Sequence, residues 1–206
     1  MNITFYNESV DPLVPAMQKL AFEKLGLKIN QYKMEGANWK GHGGTIDDFI
    51  EEVFLHSEDN ILVLWDIDCI PLNADIVNEA IYFARRGGIM GIAQKANHIP
   101  NSIIYSAPAF TAISRDTYIA IGSPKFACTP RSDCGGEITH SARQHGVEVR
   151  LLYPIHSEIP LWQLDGDIMF GKGTTFGKND IYHAFYSRKD NTDMFVRKCN
   201  ELLNNL

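Results

Sequence analysis

Residues 61–71 have the sequence ILVLWDIDCIP, an apolar run that ends in two aspartates, Asp66 and Asp68. A continuous apolar run of five residues is typical of a central strand covered on both faces, because such a strand has no side that meets solvent. Ligands of open α/β sheets bind at the carboxyl ends of such strands. The stretch therefore predicts an α/β fold with two carboxylates at its ligand-binding edge.

Short apolar runs alternate with amphipathic stretches on both sides of this strand, which is the pattern of an α/β domain. We expect one domain over residues 1–206, with a mixed, mostly parallel central sheet flanked by helices and an amphipathic helix from about Thr192. Residues 94–108 indicate a loop, and the glycines within 171–177 indicate a mobile loop.

The composition limits the classes of function. The chain has 206 residues, of which 45% are hydrophobic, and its 19 Lys and Arg against 25 Asp and Glu give a net charge of -6. No cluster of cations is present, which argues against a nucleic-acid partner. The apolar runs are too short for a bilayer, the N-terminus lacks a signal-peptide pattern, and the four cysteines form no CxxC pair. We expect a cytoplasmic protein without a transmembrane segment.

Asp66 and Asp68 are two positions apart, so their side chains point to the same side if the strand conformation persists. In that arrangement the two carboxylates can share one hard divalent cation, and such a cation would neutralise a diphosphate. The alternative is that one aspartate caps the following helix while the other is solvated.

Three segments resemble the GT-A class of nucleotide-sugar glycosyltransferases. They are the strand ending in DxD, LVLWDIDCIP, and the later segments APAFTAISRDTYIAIG and SDCGGEITHSARQHGVEVRLLYP. The later segments are similar to the second half of a family-2-like catalytic domain, and the small size is similar to compact stand-alone enzymes of phages and large viruses. The resemblance implies a Rossmann-like domain in which residues 1–93 bind the nucleotide, residues 94–190 face the acceptor and residues 192–205 form a terminal helix.

The resemblance also implies an activity and a cofactor. It predicts an inverting enzyme that moves a sugar from a UDP- or GDP-sugar to a hydroxyl of a glycan or other acceptor, in the cytoplasm, or in the host cytoplasm if the source is viral. Asp66 would face the ribose and the metal, Asp68 would ligate Mn²⁺ or Mg²⁺, and His183 would complete the metal site. An imidazole with two carboxylates suits Mn²⁺ better than Mg²⁺. The alternative for His183 is an ordinary half-buried histidine.

Transfer also requires a base that takes the proton from the acceptor hydroxyl. Asp133 is the first candidate, and Glu137 is the second. The acidic pair of family-2-like domains falls here on Cys134 and Gly135, which leaves the choice open. Either carboxylate could instead be favoured at a helix entrance by the backbone dipole alone.

The end of the first strand would flank the nucleobase in this fold, with Tyr6 stacking on the base or Asn7 contacting its edge. Tyr6 could equally be a core aromatic, and Asn7 could equally be a turn residue. The loop NWKGHGGTID could add Trp39, His42 or Asp47 to the nucleotide pocket, although a histidine beside glycines is more often a solvent-facing turn residue.

Lys172 and Lys178 flank the glycine-rich segment before His183, which suggests a basic lid that closes over the diphosphate. Mobile basic loops also occur without a ligand. Trp162 is either an aromatic platform for a sugar ring or a core side chain, and buried tryptophans are the more common case.

Two other classes of protein remain open from the sequence. A haloacid-dehalogenase-like phosphatase also places DxD after a buried strand, with the first aspartate, here Asp66, as nucleophile and the second, Asp68, as acid. That family usually has its DxD near the N-terminus, followed two positions later by Thr or Val, whereas Ile70 stands there. The other class is a non-catalytic module that binds a nucleotide or a sugar.

Overall fold

A computed structural model describes residues 1–185 and 192–205. Its strands are β1 (Asn2–Asn7), β2 (Asn30–Met34), β3 (Ile61–Trp65), β4 (Cys69–Pro71), β5 (Ile89–Lys95), β6 (Ile104–Ser114), β7 (Val149–Leu152), β8 (Pro154–Asp165), β9 (Ile168–Phe176) and β10 (Ile181–His183). Its helices are α1 (Leu13–Lys24), α2 (Gly41–Glu52), α3 (Ala74–Arg85), α4 (Arg115–Ala120), α5 (Gly136–Gln144) and α6 (Thr192–Asn205).

The larger of two sheets has six strands in the order β2-β1-β3-β6-β5-β7. Strand β6 is antiparallel to β3 and β5, while the pairs β1 with β2, β1 with β3 and β5 with β7 are parallel. Five strands therefore point in one direction, and their carboxyl ends share one edge. The predicted α/β fold with a mixed, mostly parallel sheet flanked by helices is confirmed.

The smaller sheet has four antiparallel strands in the order β4-β10-β9-β8. Strand β4 follows β3 after only three residues, so the chain passes from the large sheet to the small one at the DxD motif itself. The small sheet is assembled mainly from the last third of the chain. The sequence pattern did not predict it.

Strand β3 is apolar throughout because both of its faces are covered. Ile61, Val63 and Trp65 pack on one side in the core that includes α3, whereas Leu62 and Leu64 pack on the other side with α2. All five side chains are buried. Burial of such side chains contributes about 1.5–3 kcal/mol each, which fixes the strand in the middle of the sheet.

A third core joins the first and last helices to the small sheet. Val14 and Ala21 of α1 pack with Phe195 and Cys199 of α6 against Tyr182 of β10. The helix expected from about Thr192 is confirmed over Thr192–Asn205. Its apolar face anchors the C-terminal segment beside the strand that follows the DxD motif.

The loop expected over residues 94–108 is correct for residues 96–103 and wrong at both ends. Strand β5 continues to Lys95 and β6 begins at Ile104, so the connection is much shorter. The stretch resembles a loop because it contains Pro108 and small polar residues. One of these, Ser106, lies inside the sheet with its hydroxyl oxygen 2.6 Å from that of Thr111, where the strand register shifts.

The mobile loop expected within residues 171–177 is also wrong. Residues 171–176 belong to β9, which pairs with β8 and β10, and only Gly177 lies in the turn that follows. A Cβ atom on Gly171 would lie 2.2 Å from the carbonyl oxygen of Ile159. The glycine is thus required by the close approach of two strands rather than by flexibility.

The longest helix of the described segments, α6, has 14 residues. A helix needs about 20 apolar residues to cross a bilayer. Over residues 1–185 and 192–205, the chain forms no helix with the length and apolar character for such a span.

The predicted division into a nucleotide half and an acceptor half stays a prediction.

Candidate active site

An open cleft of about 620 Å³ lies at the carboxyl edge of the large sheet, where β1, β3 and β5 end. The small sheet forms another part of its wall. The cleft is lined by Phe5, Tyr6, Asn7, Val10, Trp39, His42, Asp66, Ile67, Asp68, Gln94, Lys95, Ala96, Asn97, His98, Asp133, Trp162, Phe170, His183 and Phe185. Nine of the candidates named from the sequence therefore come together there, namely Tyr6, Asn7, Trp39, His42, Asp66, Asp68, Asp133, Trp162 and His183.

The two aspartates lie in the turn that joins β3 to β4. The amide of Cys69 donates a hydrogen bond to the carbonyl oxygen of Asp66 at 3.1 Å, which closes the turn. Ile67 packs in the core beside α1 and also borders the cleft, as both aspartates do. The two carboxylates face the same partner, since an oxygen of each lies 3.2 Å from Nε2 of His183.

A buried glutamine supports this turn from α1. The Nε2 atom of Gln18 donates to the carbonyl oxygens of Asp66, at 2.7 Å, and of Cys69, at 2.9 Å. Its Oε1 atom accepts from Nε2 of Gln31 at 3.0 Å. Sequence analysis missed Gln18. The available signal was its place on the apolar face of α1, one position after the buried Met17.

The pairing of β4 with β10 brings His183 to the aspartates across 115 residues of chain. Cys69 stands opposite His183 in the register, and the amide of Ala184 donates to the carbonyl oxygen of Asp68 at 3.0 Å. The Nε2 atom of His183 consequently lies 3.2 Å from Oδ2 of Asp66 and 3.2 Å from Oδ1 of Asp68.

The three side chains form a buried, strongly charged group. The side chains of His183 and Asp68 are 3% and 8% exposed, and that of Asp66 is 25% exposed. Burial lowers the pKa of His183, but the charge of Asp68 and the hydrogen bonds to Asp66 and Asp68 outweigh it and raise the pKa to about 9. The imidazolium is then the positive charge that balances the two carboxylates.

The same three residues have the donor atoms and the spacing of a divalent-metal site. One ligand atom from each lies within 4.8 Å of the others. Metal–ligand bonds of about 2.1 Å at right angles separate neighbouring donors by about 3 Å, which is close to the two distances of 3.2 Å at His183. Two carboxylates and one imidazole therefore fit a cation with little movement.

His42, at the start of α2, also contacts this group. Its Nε2 atom lies 3.2 Å from Oδ1 of Asp66, and its ring lines the cleft beside Trp39. The more common interpretation of His42, a solvent-facing turn residue, is therefore wrong. Gly43, which follows it, allows the start of α2 to lie close to the segment before Asp133, since a Cβ on Gly43 would meet the backbone of Phe126 at 2.6 Å.

Tyr6 and Asn7 lie at the end of β1, one strand away from Asp66. Both are half-buried and line the cleft. The Oδ1 atom of Asn7 accepts from the amide of Ser9 at 3.1 Å and from its hydroxyl at 2.6 Å. These two bonds fix the orientation of the Asn7 side-chain amide.

Asp133 reaches the cleft from a tight turn before α5. Its Oδ1 atom accepts from the amide of Cys134 at 2.8 Å and from the thiol of Cys128 at 3.2 Å. The turn closes through the backbone pair Thr129 and Ser132. The carboxylate is half-buried and stands apart from the group at Asp68.

Glu137 lies outside the cleft lining. It pairs with the guanidinium of Arg131 and accepts from the hydroxyl of Thr129 at 2.8 Å. The hydrogen bond from Arg131 lowers the pKa of Glu137. Burial opposes this, but the hydrogen bonds of Thr129 and Ser132 and the charge of Arg131 add to the lowering, which brings the pKa to about 2. The geometry makes it a brace of the turn that carries Asp133.

Asp47, one of the three candidates that the sequence offered for the nucleotide pocket, does not line the cleft. It is buried, and its carboxylate accepts from the amides of Phe126 at 2.7 Å and Ala127 at 3.1 Å. Burial raises its pKa, and these two hydrogen bonds oppose that rise. Asp47 fastens the segment leading to Asp133.

The two lysines expected to contact the diphosphate lie elsewhere. Lys172 belongs to β9 and pairs with Ile159, and Lys178 is exposed in the turn after β9. Neither lines the cleft. Lys95, at the end of β5, does so and has no ion-pair partner within the described segments. Sequence analysis missed it because residues 94–108 carried no readable pattern.

Trp162 lines the cleft and is half-buried. Its ring centroid lies 5.4 Å from that of Phe170 and 5.6 Å from that of Phe185. These three rings form an aromatic wall beside His183. The wall serves both as part of the core and as part of the cleft surface, so the two interpretations of Trp162 are compatible.

No family model matches the sequence. No curated protein matches it either. Similar solved structures include A197 from STIV, with 11% identity over 89% of this chain and 94% of that chain and a TM-score of 0.49.

Two structures of a Drosophila β1,4-galactosyltransferase 7 are also similar. A mutant in complex with manganese, UDP-Gal and xylobiose has 13% identity over 93% of this chain and 74% of that chain, with a TM-score of 0.47. The catalytic domain with xylobiose has 12% identity over 95% and 79%, with a TM-score of 0.48. The neighbours thus include a glycosyltransferase, the class that the sequence resembles.

Proposed function

We propose that this chain is a metal-dependent glycosyltransferase that moves a sugar from a UDP- or GDP-sugar to a hydroxyl of a glycan or other acceptor. One observation carries the proposal. Asp66, Asp68 and His183 converge with metal-ligand spacing at the end of the central strand, inside a cleft of about 620 Å³. A cleft of this volume suits a nucleotide-sized ligand, and a diphosphate is the natural partner of a cation held by two carboxylates.

The divalent ion, Mn²⁺ in this proposal, supplies Lewis-acid stabilisation of the departing nucleoside diphosphate when it is bound. Asp66, Asp68 and His183 hold it. Tyr6 stacks on the nucleobase and Asn7 contacts the base edge, because both stand one strand from Asp66 at the same edge of the sheet. The nucleotide therefore occupies the β1 side of the cleft.

Asp133 is the base in this proposal. It accepts the proton of the acceptor hydroxyl while that oxygen bonds to the anomeric carbon. The bond from the anomeric carbon to the diphosphate oxygen breaks, and the diphosphate leaves with the electron pair. A direct displacement of this kind inverts the anomeric centre. The support for Asp133 over Glu137 is its place in the cleft, since Glu137 is held by Arg131.

Lys95 takes over the role that the sequence gave to Lys172 and Lys178. Strand β5 lies two strands from β3, and Lys95 at its end lines the same cleft as the metal ligands. Tyr6, on β1, lies on the other side of β3. In the cleft, Lys95 provides a second positive charge for the leaving diphosphate.

The contacts of Asp66 favour glycosyl transfer over a phosphatase mechanism. Nucleophilic attack on phosphorus would need an oxygen of Asp66 that is free to react. Oδ1 lies 3.2 Å from Nε2 of His42, and Oδ2 lies 3.2 Å from Nε2 of His183. Both oxygens of Asp66 thus contact an imidazole. This environment suits a carboxylate that binds a metal ion better than one that attacks phosphorus.

Calorimetric titration of UDP and GDP, with and without Mn²⁺, tests the proposal. We expect binding of one of the two nucleotides that requires Mn²⁺, and slow metal-dependent hydrolysis of the corresponding sugar donor. A CMP-sugar, which has no diphosphate, serves as the control donor. Absence of metal-dependent nucleotide binding, or metal-dependent cleavage of p-nitrophenyl phosphate without donor hydrolysis, would contradict the proposal.

A further inference from the structure

The imidazole of His183 lacks the hydrogen bond that usually orients a metal-binding histidine. Its Nε2 atom faces Asp66 and Asp68, but its Nδ1 atom is buried without a hydrogen-bond partner among residues 1–185 and 192–205. Metal-binding histidines normally donate their second ring N–H to a carbonyl or carboxylate, and that bond fixes the plane of the ring. Another contact must therefore orient His183.

Phe185 provides that contact. The ring centroids of His183 and Phe185 are 3.7 Å apart, and their planes are inclined by 33°. On its other sides, Phe185 meets Trp162 at a centroid distance of 5.6 Å and Phe170 at 5.9 Å. Because Phe185 is itself packed and only 8% exposed, the imidazole cannot rotate without displacing it.

The backbone of Phe185 adopts a strained conformation that places its ring on His183. Its φ angle is 55°, in the left-handed region that bulky residues rarely occupy. The residue before it, Ala184, is held on both sides, since its amide donates to Asp68 and its carbonyl oxygen accepts from the amide of Gly173, each at 3.0 Å. The turn at Phe185 follows directly and lays the ring on His183.

We infer that Phe185 is a positioning residue of the metal site, and that its ring takes the place of the missing hydrogen bond to Nδ1 of His183. The stacked ring keeps Nε2 directed at the two carboxylates. The strained backbone at Phe185 serves to place this ring against the metal-binding histidine. The inference rests on the metal site of the proposed function and concerns metal binding alone, before any sugar is transferred.

Mn²⁺ affinity, measured by calorimetry and by the electron paramagnetic resonance signal of the ion, tests this inference. Phe185→Leu keeps an apolar side chain but removes the flat ring. We expect it to bind Mn²⁺ about 10–100-fold more weakly, the usual loss when a residue supporting a ligand is removed. Phe185→Tyr keeps the ring and should bind Mn²⁺ as the unaltered protein does.

Phe170→Leu is the matched control, because Phe170 belongs to the same aromatic cluster and packs against Phe185. If Phe185 acted only in core packing, the two Leu variants would weaken Mn²⁺ binding equally. Positioning predicts that Phe170→Leu keeps nearly full affinity. Phe185→Gly removes both the ring and the strained φ, so a loss of affinity in this variant cannot come from backbone strain, and it provides the measurement should Phe185→Leu fail to fold.

The outcomes separate this inference from the proposed function. If the unaltered protein binds no Mn²⁺, the proposed function itself fails. If it binds Mn²⁺ and Phe185→Leu or Phe185→Gly binds equally well, or Phe170→Leu loses as much as Phe185→Leu, only the role of Phe185 is overturned.

Discussion

The two sheets of this protein contribute to one cleft in different ways. The large sheet supplies Tyr6, Asn7 and Asp66 from the ends of consecutive parallel strands or the residue directly after them. The small sheet supplies His183 and two aromatic rings, Trp162 and Phe170, through antiparallel pairings between distant segments. Residues of the first kind were predictable from position along the chain, whereas the neighbours of His183 were not.

The aspartates and His183 are held in place by different kinds of contact. The acids after β3 are fixed by a tight turn and by the hydrogen bonds that Gln18 of α1 donates to the carbonyl oxygens of Asp66 and Cys69. The imidazole depends on the β4–β10 pairing and on the stacked ring of Phe185. We therefore expect loss of a metal ligand to weaken metal binding similarly on either sheet. Loss of a supporting residue should matter more for His183 than for the two aspartates.

The largest effect is expected at the base. Asp133→Asn should lower the rate of sugar transfer by about 10²–10⁴-fold, the usual contribution of a positioned base, while Mn²⁺ and nucleotide binding persist. Steady-state transfer assays and calorimetry measure the two properties separately. Glu137→Gln should retain most of the transfer rate. The reverse pattern would assign the base to Glu137.

Loss of a metal ligand tests whether the two sheets form a single site. Asp68→Ala, on the large-sheet side, and His183→Ala, on the small-sheet side, should each weaken Mn²⁺ binding by more than about 100-fold, since a lost ligand costs more than a lost supporting residue. Calorimetry provides the measurement, and circular dichroism verifies that each variant is folded. Normal affinity in His183→Ala would restrict the metal site to the large sheet.

A smaller effect is expected for the cation of the cleft. Lys95→Met should weaken binding of the Mn²⁺ nucleoside diphosphate complex by about 10-fold, because one charge-assisted contact is lost. Lys178→Met, which lies outside the cleft lining, is the matched control and should bind normally. If the control loses more affinity than Lys95→Met, the nucleotide lies nearer the small sheet than proposed.

The smallest effect concerns stability at low pH. The pKa of Glu137 falls from its usual 4.5 to about 2, so its ion pair with Arg131 stabilises the folded chain above pH 4.5 and loses this effect as the pH falls toward 2. Glu137→Gln should therefore be less stable at pH 7, by about 1 kcal/mol or less. Urea unfolding at pH 7 and pH 2 measures this. A deficit that is equal at both values would contradict it.

Several local features followed from the sequence because their causes are local. The apolar run of β3 predicted a strand buried on both faces, and the alternation in Asp66-Ile67-Asp68 predicted two carboxylates on one side. Helix α6 followed from its apolar period. Predictions failed where composition concealed a strand, as with the glycines of β9, which allow two strands to approach closely.

The sequence by itself determined the α/β class, the central strand and the acidic end of that strand, since each depends on the polarity and spacing of neighbouring residues. The resemblance implied that His183 joins the two aspartates, and the tertiary structure supplied the strand pairing that brings them together. The tertiary structure alone decided that Lys95 rather than Lys178 lines the cleft and that Glu137 braces a turn. These placements depend on strand pairings between segments far apart in the chain. Such pairings follow from the packing of the whole core, which no local pattern specifies.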